Sequence, residues 1–442
     1  MRDLVLLLGF IAVLLPVFRY PHIGVLIWCW TALVVPNNFV YGFMLNVPFN
    51  KITAVVTVFS WLISREPRKM EFPSAGWLLI IFGIWGTVSA MTGIAASDVG
   101  LVEWDKFAKV LVFSFMTLVL ITSKSRIDAL LYSVYLSLGF HGVLEGMKFL
   151  VSAGEHRVWG PTGSILGDNN HFALGMVALF PIGLYLYKQA ESRYVKWALI
   201  GSSLLVLVSV VGTFSRGGLI GIVAVGAYAL LGSGKRIKYA VASLPLLFLA
   251  WAVAPGSWFE RMDTITTASQ DSSFMGRVVA WKQSTLIALD HPFFGGGFHA
   301  VQDFGVWTQY AKSFGSLAFV PSSMPDPIAP HAAHSIYFQV LGDLGFVGLF
   351  IFLAILFMAW RNANFVIRYA GVSAEWAWAR QLAKTLQYSL VAYIVAGAAL
   401  SMAYFDFIYI IFALLMVLRG MLETPPAYSP RSVPLAVAVP VR

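Results

Sequence analysis

The sequence has little charge and almost no cysteine. Lys, Arg, Asp and Glu make up 12% of its 442 residues, whereas a soluble domain carries about 25%. This shortage excludes an ordinary soluble enzyme. Hydrophobic residues make up 59% of the chain and the mean hydropathy is +0.77, which excludes a disordered chain. The single cysteine, Cys29, excludes an intramolecular disulfide and a cysteine-based metal site.

Long apolar stretches dominate what is present. Each membrane-spanning helix needs about 20 apolar residues, so the composition suffices for roughly a dozen spans. The stretches are continuous rather than alternating, which argues against an outer-membrane barrel. We therefore predict an all-α polytopic membrane protein with about 12 transmembrane helices, the first of them retained rather than cleaved. The candidate stretches are 3–18, 23–43, 52–64, 75–93, 107–122, 128–151, 171–187, 197–213, 218–232, 239–254, 334–360, 386–401 and 404–419.

Basic residues are concentrated in alternate connecting loops. The positive-inside rule assigns these loops to the cytoplasm. We therefore assign the net charge of +9 to membrane topology and predict no nucleic-acid partner. Twelve spans would place the N-terminus inside and thirteen would place it outside, and both remain open. The loops predicted to face outward are 94–106, 152–170, the turn at 214–217 and 255–333.

The longest of these outer segments divides the chain into four parts. We predict an N-terminal helix bundle over 1–254, an outer loop over 255–333, C-terminal transmembrane helices over 334–419, and a disordered cytoplasmic tail over 420–442. An outer loop of this length without regular structure would be unusual, so we expect it to carry function.

Part of the outer loop has the pattern of a helix. Between residues 277 and 290, Val278, Trp281 and Leu289 recur at helical spacing with Leu286, whereas Lys282 and Gln283 fall on the other side. This pattern predicts an amphipathic helix that lies on the outer membrane surface or over a cavity.

Polar residues gather at helix ends on the predicted outer face. Asp168, Asn169 and Asn170 come directly before a predicted helix that starts at His171, and any of the three could serve as its N-cap. The positive-inside rule depletes arginine on this side, yet Arg157, Arg216 and Arg277 all fall there. A single arginine at a membrane edge can be an anchor. Three together predict an anionic ligand at the outer leaflet, and a lipid-linked diphosphate is the natural candidate.

Several of these segments resemble a known family. The turn SRGG (215–218), the segment GRVVAWKQSTLIALDHPFFGGGF (276–298) and the helix HSIYFQVLGDLGFVGL (334–349) resemble the O-antigen ligase and polymerase superfamily. The N-terminal region, with RVWGPTGSILGDNNHFA (157–173), resembles probable O-glycosylation ligases of exosortase-bearing bacteria. Together the resemblance extends from the N-terminus to about residue 420.

The resemblance implies a membrane glycosyltransferase of the C-type fold in the bacterial inner membrane. Such an enzyme transfers a glycan from an undecaprenyl-diphosphate donor on the periplasmic side. In O-antigen ligases the acceptor is the lipid A–core oligosaccharide. The resemblance also implies inversion at the anomeric carbon and a reaction that needs neither a metal nor a cofactor.

Within that reaction, the residues divide into a base and a diphosphate site. His334 is the predicted base, because imidazole titrates near neutral pH, and His331 is the rival. Arg157, Arg216 and Arg277 are predicted to bind the diphosphate in place of a divalent cation, since guanidinium groups neutralise phosphate bidentately.

Other polar residues have less defined roles. We predict His171, His331 and Ser215 as substrate contacts, although His171 could merely pack. Asp343 follows His334 by nine residues, about 180° around a helix, so we do not expect it to orient the imidazole directly.

Three other functions share parts of this pattern. An O-antigen polymerase and a protein O-oligosaccharyltransferase would use the same donor. A lipid-linked glycan flippase would need no transfer chemistry, but the polar residues cluster at one face rather than along a path across the membrane. A metal-dependent glycosyltransferase would use acids in an outer loop; Asp98, Glu103 and Asp105 show no paired spacing, so we interpret 94–106 as a solvated loop.

Overall fold

The computed structural model describes residues 1–64, 73, 75–95, 98–232, 254–263, 272–320, 322–326, 328–371 and 373–423. Within these ranges the chain forms helices and no β-strand. The α-helices are α1 (Arg2–Leu14), α2 (Pro21–Val34), α3 (Phe49–Ile63), α4 (Gly76–Thr92), α5 (Asp98–Leu120), α6 (Lys124–Val151), α7 (Asn169–Gln189), α8 (Arg193–Gly212), α9 (Arg216–Leu231), α10 (Gly256–Asp263), α11 (Ser272–Asp290), α12 (Phe304–Lys312), α13 (Ile336–Tyr369), α14 (Ala377–Ala396) and α15 (Asp406–Glu423).

The helices confirm a multi-pass membrane protein. In the described ranges, α6, α7, α8 and α13 are long and apolar enough to cross a membrane. Helices α2, α3, α4 and α9 are shorter and also apolar. The predicted stretch 239–254 and the tail beyond Glu423 lie outside the described residues, apart from Ala254.

The centre of the bundle is formed by helices that are apolar on every face. In α15, all side chains from Phe407 to Leu418 are buried, and the helix packs against α5, α13 and α14. Helix α7 is buried along most of its length and packs against α8 and α14. Such all-round hydrophobicity is typical of a helix enclosed by others. This enclosed core holds the helix ends that form the site in fixed positions.

The predicted solvated loop 94–106 is mostly helical, so that prediction was wrong. Helix α5 begins at Asp98, well before the apolar stretch predicted from 107. Two ion pairs along the helix surface stabilise this polar start: Glu103 with Lys106 and Asp105 with Lys109. Pairs at these spacings each contribute a few tenths of a kcal/mol.

Helix α13 bends sharply at Gly345, which has φ +71° and ψ −172°. The loop that follows α11 fills this break. The N–H groups of Gly296 and Gly297 donate to the carbonyls of Gly342 and Asp343, and that of Phe346 donates to the Pro292 carbonyl. The loop thus replaces the helical hydrogen bonds lost at the kink and joins the outer segment to the bundle.

Two side chains of helix α4 also form hydrogen bonds to this loop and to the kink of α13. Trp85 Nε1 donates to the carbonyls of Phe293 and Leu344, each at 3.2 Å. Ser89 Oγ lies 2.7 Å from the carbonyl oxygens of Phe294 and Asp343. The first half of α13, which leads back toward His334, is therefore held at a fixed angle.

We expect Gly345→Ala to lower the melting temperature of the protein in detergent markedly. An alanine Cβ would lie 2.6 Å from the Phe293 carbonyl oxygen, and the backbone conformation at Gly345, φ +71° with ψ −172°, is essentially restricted to glycine and costs another residue about 1–3 kcal/mol. Gly201→Ala in α8 is the matched control, because a Cβ there meets no atom within 4 Å. Equal melting temperatures for the two variants would contradict the kink.

Candidate active site

Helix α11 is packed within a cap that residues 272–320 form. It begins at Ser272, five residues earlier than predicted, and packs against α13 and α12. The predicted polarity was wrong: Lys282 and Gln283 are 5% and 0% exposed, whereas Leu289 is 55% exposed. The helix therefore forms part of a small core of its own, together with Trp307 and Tyr310 of α12.

Lys282 is buried because residues that follow α12 cover its side chain. Its ammonium donates to the Val320 carbonyl and to Ser322 Oγ, both at 2.9 Å, and lies 4.2 Å from the centre of the Phe314 ring. A buried ammonium is tolerated when it is hydrogen-bonded in this way. Lys282 thus links Phe314, Val320 and Ser322 to α11.

Trp281 of α11 fixes the chain directly before the predicted base. Its indole N–H donates to the Ala333 carbonyl at 2.7 Å. Its ring stacks on Phe338 of α13, with 5.2 Å between centroids and 9° between planes. The residue after Ala333 is His334, so α11 and α13 together set the position of that histidine.

His334 has a strained backbone and an unsatisfied imidazole nitrogen. Its φ is +42°, which is uncommon for a residue with a side chain and costs of order 1–3 kcal/mol. Its N–H donates to Ser401 Oγ at 2.7 Å. Within the described chain, His334 Nδ1 and Ser335 Oγ are buried without a hydrogen-bond partner. Strain and unsatisfied polar atoms at one place are typical of a site that receives a ligand.

Several ionisable groups from different elements surround His334. Its pKa is lowered to about 4, chiefly by burial and then by the positive charge of Arg277 on α11, with a smaller effect of His171; Asp168 acts in the opposite direction. His331 also contributes. The imidazole is therefore neutral at pH 7, the form that can accept a proton.

Asp168 and His171 form the start of α7 beside this cluster. Asp168 Oδ1 accepts hydrogen bonds from the N–H groups of Asn170 and His171, at 2.8 and 3.3 Å, which confirms the predicted N-cap. His171 Nδ1 lies 2.8 Å from the Ile165 carbonyl oxygen. In the described chain, its Nε2 is buried without a partner. Two imidazoles thus bring one unsatisfied nitrogen each to the site.

The turn before α9 is bonded to the start of α7. Ser215 Oγ donates to Asn170 Oδ1 at 2.9 Å and accepts from the Gly218 N–H at 3.1 Å. Asn169 Nδ2 donates to the Thr213 carbonyl at 2.7 Å. Gly218 permits this contact, because a Cβ there would lie 2.8 Å from the Ala173 Cβ.

This turn determines where Arg216 lies. Arg216 is the first residue of α9, where unpaired N–H groups and the helix dipole favour an anion. Ser215 uses its hydroxyl within the chain as the N-cap. The two predicted residues therefore differ: Ser215 positions the turn, and Arg216 carries the charge.

The remaining predicted residues lie at the edge of this arrangement. Arg157 is exposed and its guanidinium lies 5.0 Å from the Trp159 ring centre. The next N–H, of Val158, donates to the Gly212 carbonyl at 2.8 Å, beside the turn. His331 is exposed, with its ring 5.7 Å from that of Trp307.

The buried side chain of Asp343 joins α13 to neighbouring segments. Asp343 Oδ1 accepts from the His299 N–H and Oδ2 from the Tyr404 hydroxyl, each at 3.1 Å. Neither these partners nor Ser401 was predicted from the sequence. The only feature of the sequence that pointed to Asp343 was its position as an acid within an apolar helix. Among the described residues, no group of three or more His, Cys, Asp or Glu side chains could hold a metal ion.

Two family models match parts of the chain. Residues 201–353 match a family model described as O-Antigen ligase. This match supports membership of the O-antigen ligase superfamily. The matched range contains Arg216, Arg277 and His334. Residues 1–191, with Arg157 and His171, match a family of unknown function, and the comparison with curated proteins gives no match.

We expect acid to destabilise this ligase-family protein through His334. The pKa is about 4 in the folded chain against an ordinary 6.5. Between these values the unfolded chain binds more protons, so stability falls as pH drops from about 6.5 to 4, by about 3 kcal/mol in total. His334→Asn, which tolerates a positive φ, should show a shallower fall in melting temperature between pH 7.5 and 5. Parallel falls would contradict the assignment.

Proposed function

We propose that this protein is an O-antigen ligase of the bacterial inner membrane, with about 12 spans and the C-type glycosyltransferase fold. It transfers a glycan from undecaprenyl diphosphate to a sugar hydroxyl of lipid A–core on the periplasmic face. Membership of the ligase superfamily supports the reaction class. The observation that carries the proposal is His334, with its unsatisfied Nδ1, near the half-buried Arg277.

In the proposed reaction, His334 acts as the general base. Its neutral imidazole accepts the proton of the acceptor hydroxyl, and the oxygen attacks the anomeric carbon. The bond from that carbon to the diphosphate oxygen breaks on the opposite face, so the configuration inverts. Undecaprenyl diphosphate leaves, and the proton passes from the imidazolium to solvent or to the diphosphate.

The arginines bind and neutralise the diphosphate in this proposal. Arg277 and Arg216 approach from α11 and from the start of α9, and Arg157 contributes from the edge of the site. Guanidinium groups stabilise the negative charge that develops on the leaving group, which is the role a divalent cation has in other enzymes. The proposed reaction therefore needs no metal or cofactor.

The histidines on either side complete the proposed substrate site. His171 contributes its Nε2 to the glycan or the diphosphate, and His331 contacts the substrate from the exposed edge. Donor binding would also activate the base. The diphosphate brings negative charge next to His334, and a nearby negative charge raises the pKa of an imidazole, which makes it a stronger proton acceptor.

The proposal is tested with the purified full-length protein, a lipid-linked glycan and lipid A–core. Formation of glycan-capped lipid A–core, followed by gel shift and mass spectrometry, is the expected result. In a deletion strain, we expect uncapped lipopolysaccharide and accumulated lipid-linked glycan. Single-repeat capping would indicate a polymerase instead, normal lipopolysaccharide with unglycosylated proteins a protein O-oligosaccharyltransferase, and lipid flipping without transfer a flippase.

A further inference from the structure

A pocket lies at the end of α13 that is farther from His334. Beyond its kink at Gly345, helix α13 continues to Tyr369, a length of about 36 Å, so the two places are on opposite sides of the bundle. The pocket has a volume of about 390 Å³, and its lining includes Arg380, Gln381 and Lys384 of α14, together with Ala370, Gly371, Ser373, Ala374 and Ala377. The charge pattern of the sequence assigns this end to the cytoplasm.

Two cations, Arg380 and Lys384, line this pocket. They are one turn apart on α14, and like charges at this spacing destabilise a helix. In the part of the chain that the structure describes, no carboxylate forms an ion pair with either side chain. On α6, by contrast, Lys124 is paired with Asp128. A bound anion would remove the repulsion that the chain leaves uncompensated.

Aromatic side chains place the pocket at the level of the lipid headgroups. Tyr369 is 63% exposed at the end of α13. Trp376 and Trp378 lie 6.0 Å apart at the start of α14, and the Lys124 ammonium lies 5.5 Å from the Trp378 ring centre. Trp and Tyr are enriched at membrane–water interfaces, with basic residues beside them on the cytoplasmic side. The anion available at that level of a multi-pass protein is a lipid phosphate.

We infer that this pocket binds the phosphate of an anionic phospholipid, with Arg380 and Lys384 as its charged contacts. The guanidinium can bind two phosphate oxygens, and the ammonium adds a third contact as a point charge. Gln381 lies between them in sequence and accepts a hydrogen bond from Gln189 of α7 at 3.4 Å. A lipid bound here would therefore bear on α7, α13 and α14 together, independently of the transfer reaction.

The competing explanation is that both residues serve only to orient the protein in the membrane. The chain offers a matched control for that role. Arg193 and Lys196 at the start of α8 carry the same total charge at the same predicted side, and neither lines the pocket. Arg193→Gln with Lys196→Gln therefore removes bulk charge without altering the pocket.

The test is native mass spectrometry of the full-length protein in detergent, titrated with phosphatidylglycerol. We expect Arg380→Gln with Lys384→Gln to weaken binding of this lipid about tenfold or more, because both charged contacts to the phosphate are lost. The Arg193 and Lys196 double variant should bind within about twofold of wild type. Gel filtration and melting temperature verify that each variant is folded, and Arg380→Lys should bind with intermediate affinity.

Other results would overturn the inference. Equal lipid binding by wild type and the pocket variant excludes the site, and an equal loss in the control variant makes the effect one of bulk charge. Phosphatidylcholine, which is zwitterionic, should not compete. Displacement of the lipid by millimolar inorganic phosphate would show that the pocket takes free phosphate from solution, which overturns the assignment to a lipid.

Discussion

Replacement of His334 by alanine is expected to reduce glycan transfer by about 10²–10⁴-fold, the usual contribution of a general base. Donor binding should remain, because the arginines that neutralise the diphosphate are unchanged. The structural reason is the neutral imidazole with its unsatisfied Nδ1. The backbone that carries it is held by two hydrogen bonds, from the His334 N–H to Ser401 Oγ and from the Trp281 indole to the Ala333 carbonyl. Transfer is measured with purified protein and both lipid substrates, and donor binding by titration without the acceptor.

Two further variants separate loss of the base from loss of the fold. His334→Asn tolerates the positive φ and keeps a polar side chain, so it should melt near the wild-type temperature yet lose transfer to the same extent as alanine. His331→Ala should lose much less, because that ring lies exposed against Trp307. Wild-type turnover in either His334 variant would place the base elsewhere, first at His331.

Local features of the site could be predicted from the sequence. Asp168 caps α7 as predicted, because an N-cap depends only on the next three residues. The structure also brings Arg277 near His334, two residues that were selected separately for their chemistry. Short-range spacing and residue type suffice for such predictions.

Long-range contacts explain where the sequence analysis failed. Lys282 reads as a solvent-facing residue, yet its partners Val320 and Ser322 are about 40 residues away along the chain. Asp343 similarly bonds to His299 and Tyr404, which come from a loop and from beyond α14. The periodicity of one helix cannot reveal contacts between residues that lie this far apart in the sequence. The helical start of α5 differs, since its ion pairs at short spacing were visible in the sequence and were outweighed by hydropathy.

Replacement of Arg277 by glutamine should have the second large effect. Loss of one charged donor to a leaving group typically costs about 10²–10³-fold in rate, and donor affinity should fall as well. Arg277→Lys keeps the charge but not the bidentate geometry, so it should restore transfer only in part. Lys312→Gln removes one positive charge from the same cap and is the control, because Lys312 is not among the groups that shift the pKa of His334.

The pH profile of these variants tests whether Arg277 acts on His334 itself. The base works only when neutral, so kcat/KM of the wild type should fall only as pH approaches about 4, the pKa of His334. Removal of the Arg277 charge stabilises the imidazolium, so the pKa rises and the acid limb moves to higher pH. It should stay below 6.5, because burial is the larger cause of the shift. Arg277→Lys should leave the limb near its wild-type position. An acid limb that does not move in Arg277→Gln, with transfer still reduced, would restrict Arg277 to donor binding and separate it from the base.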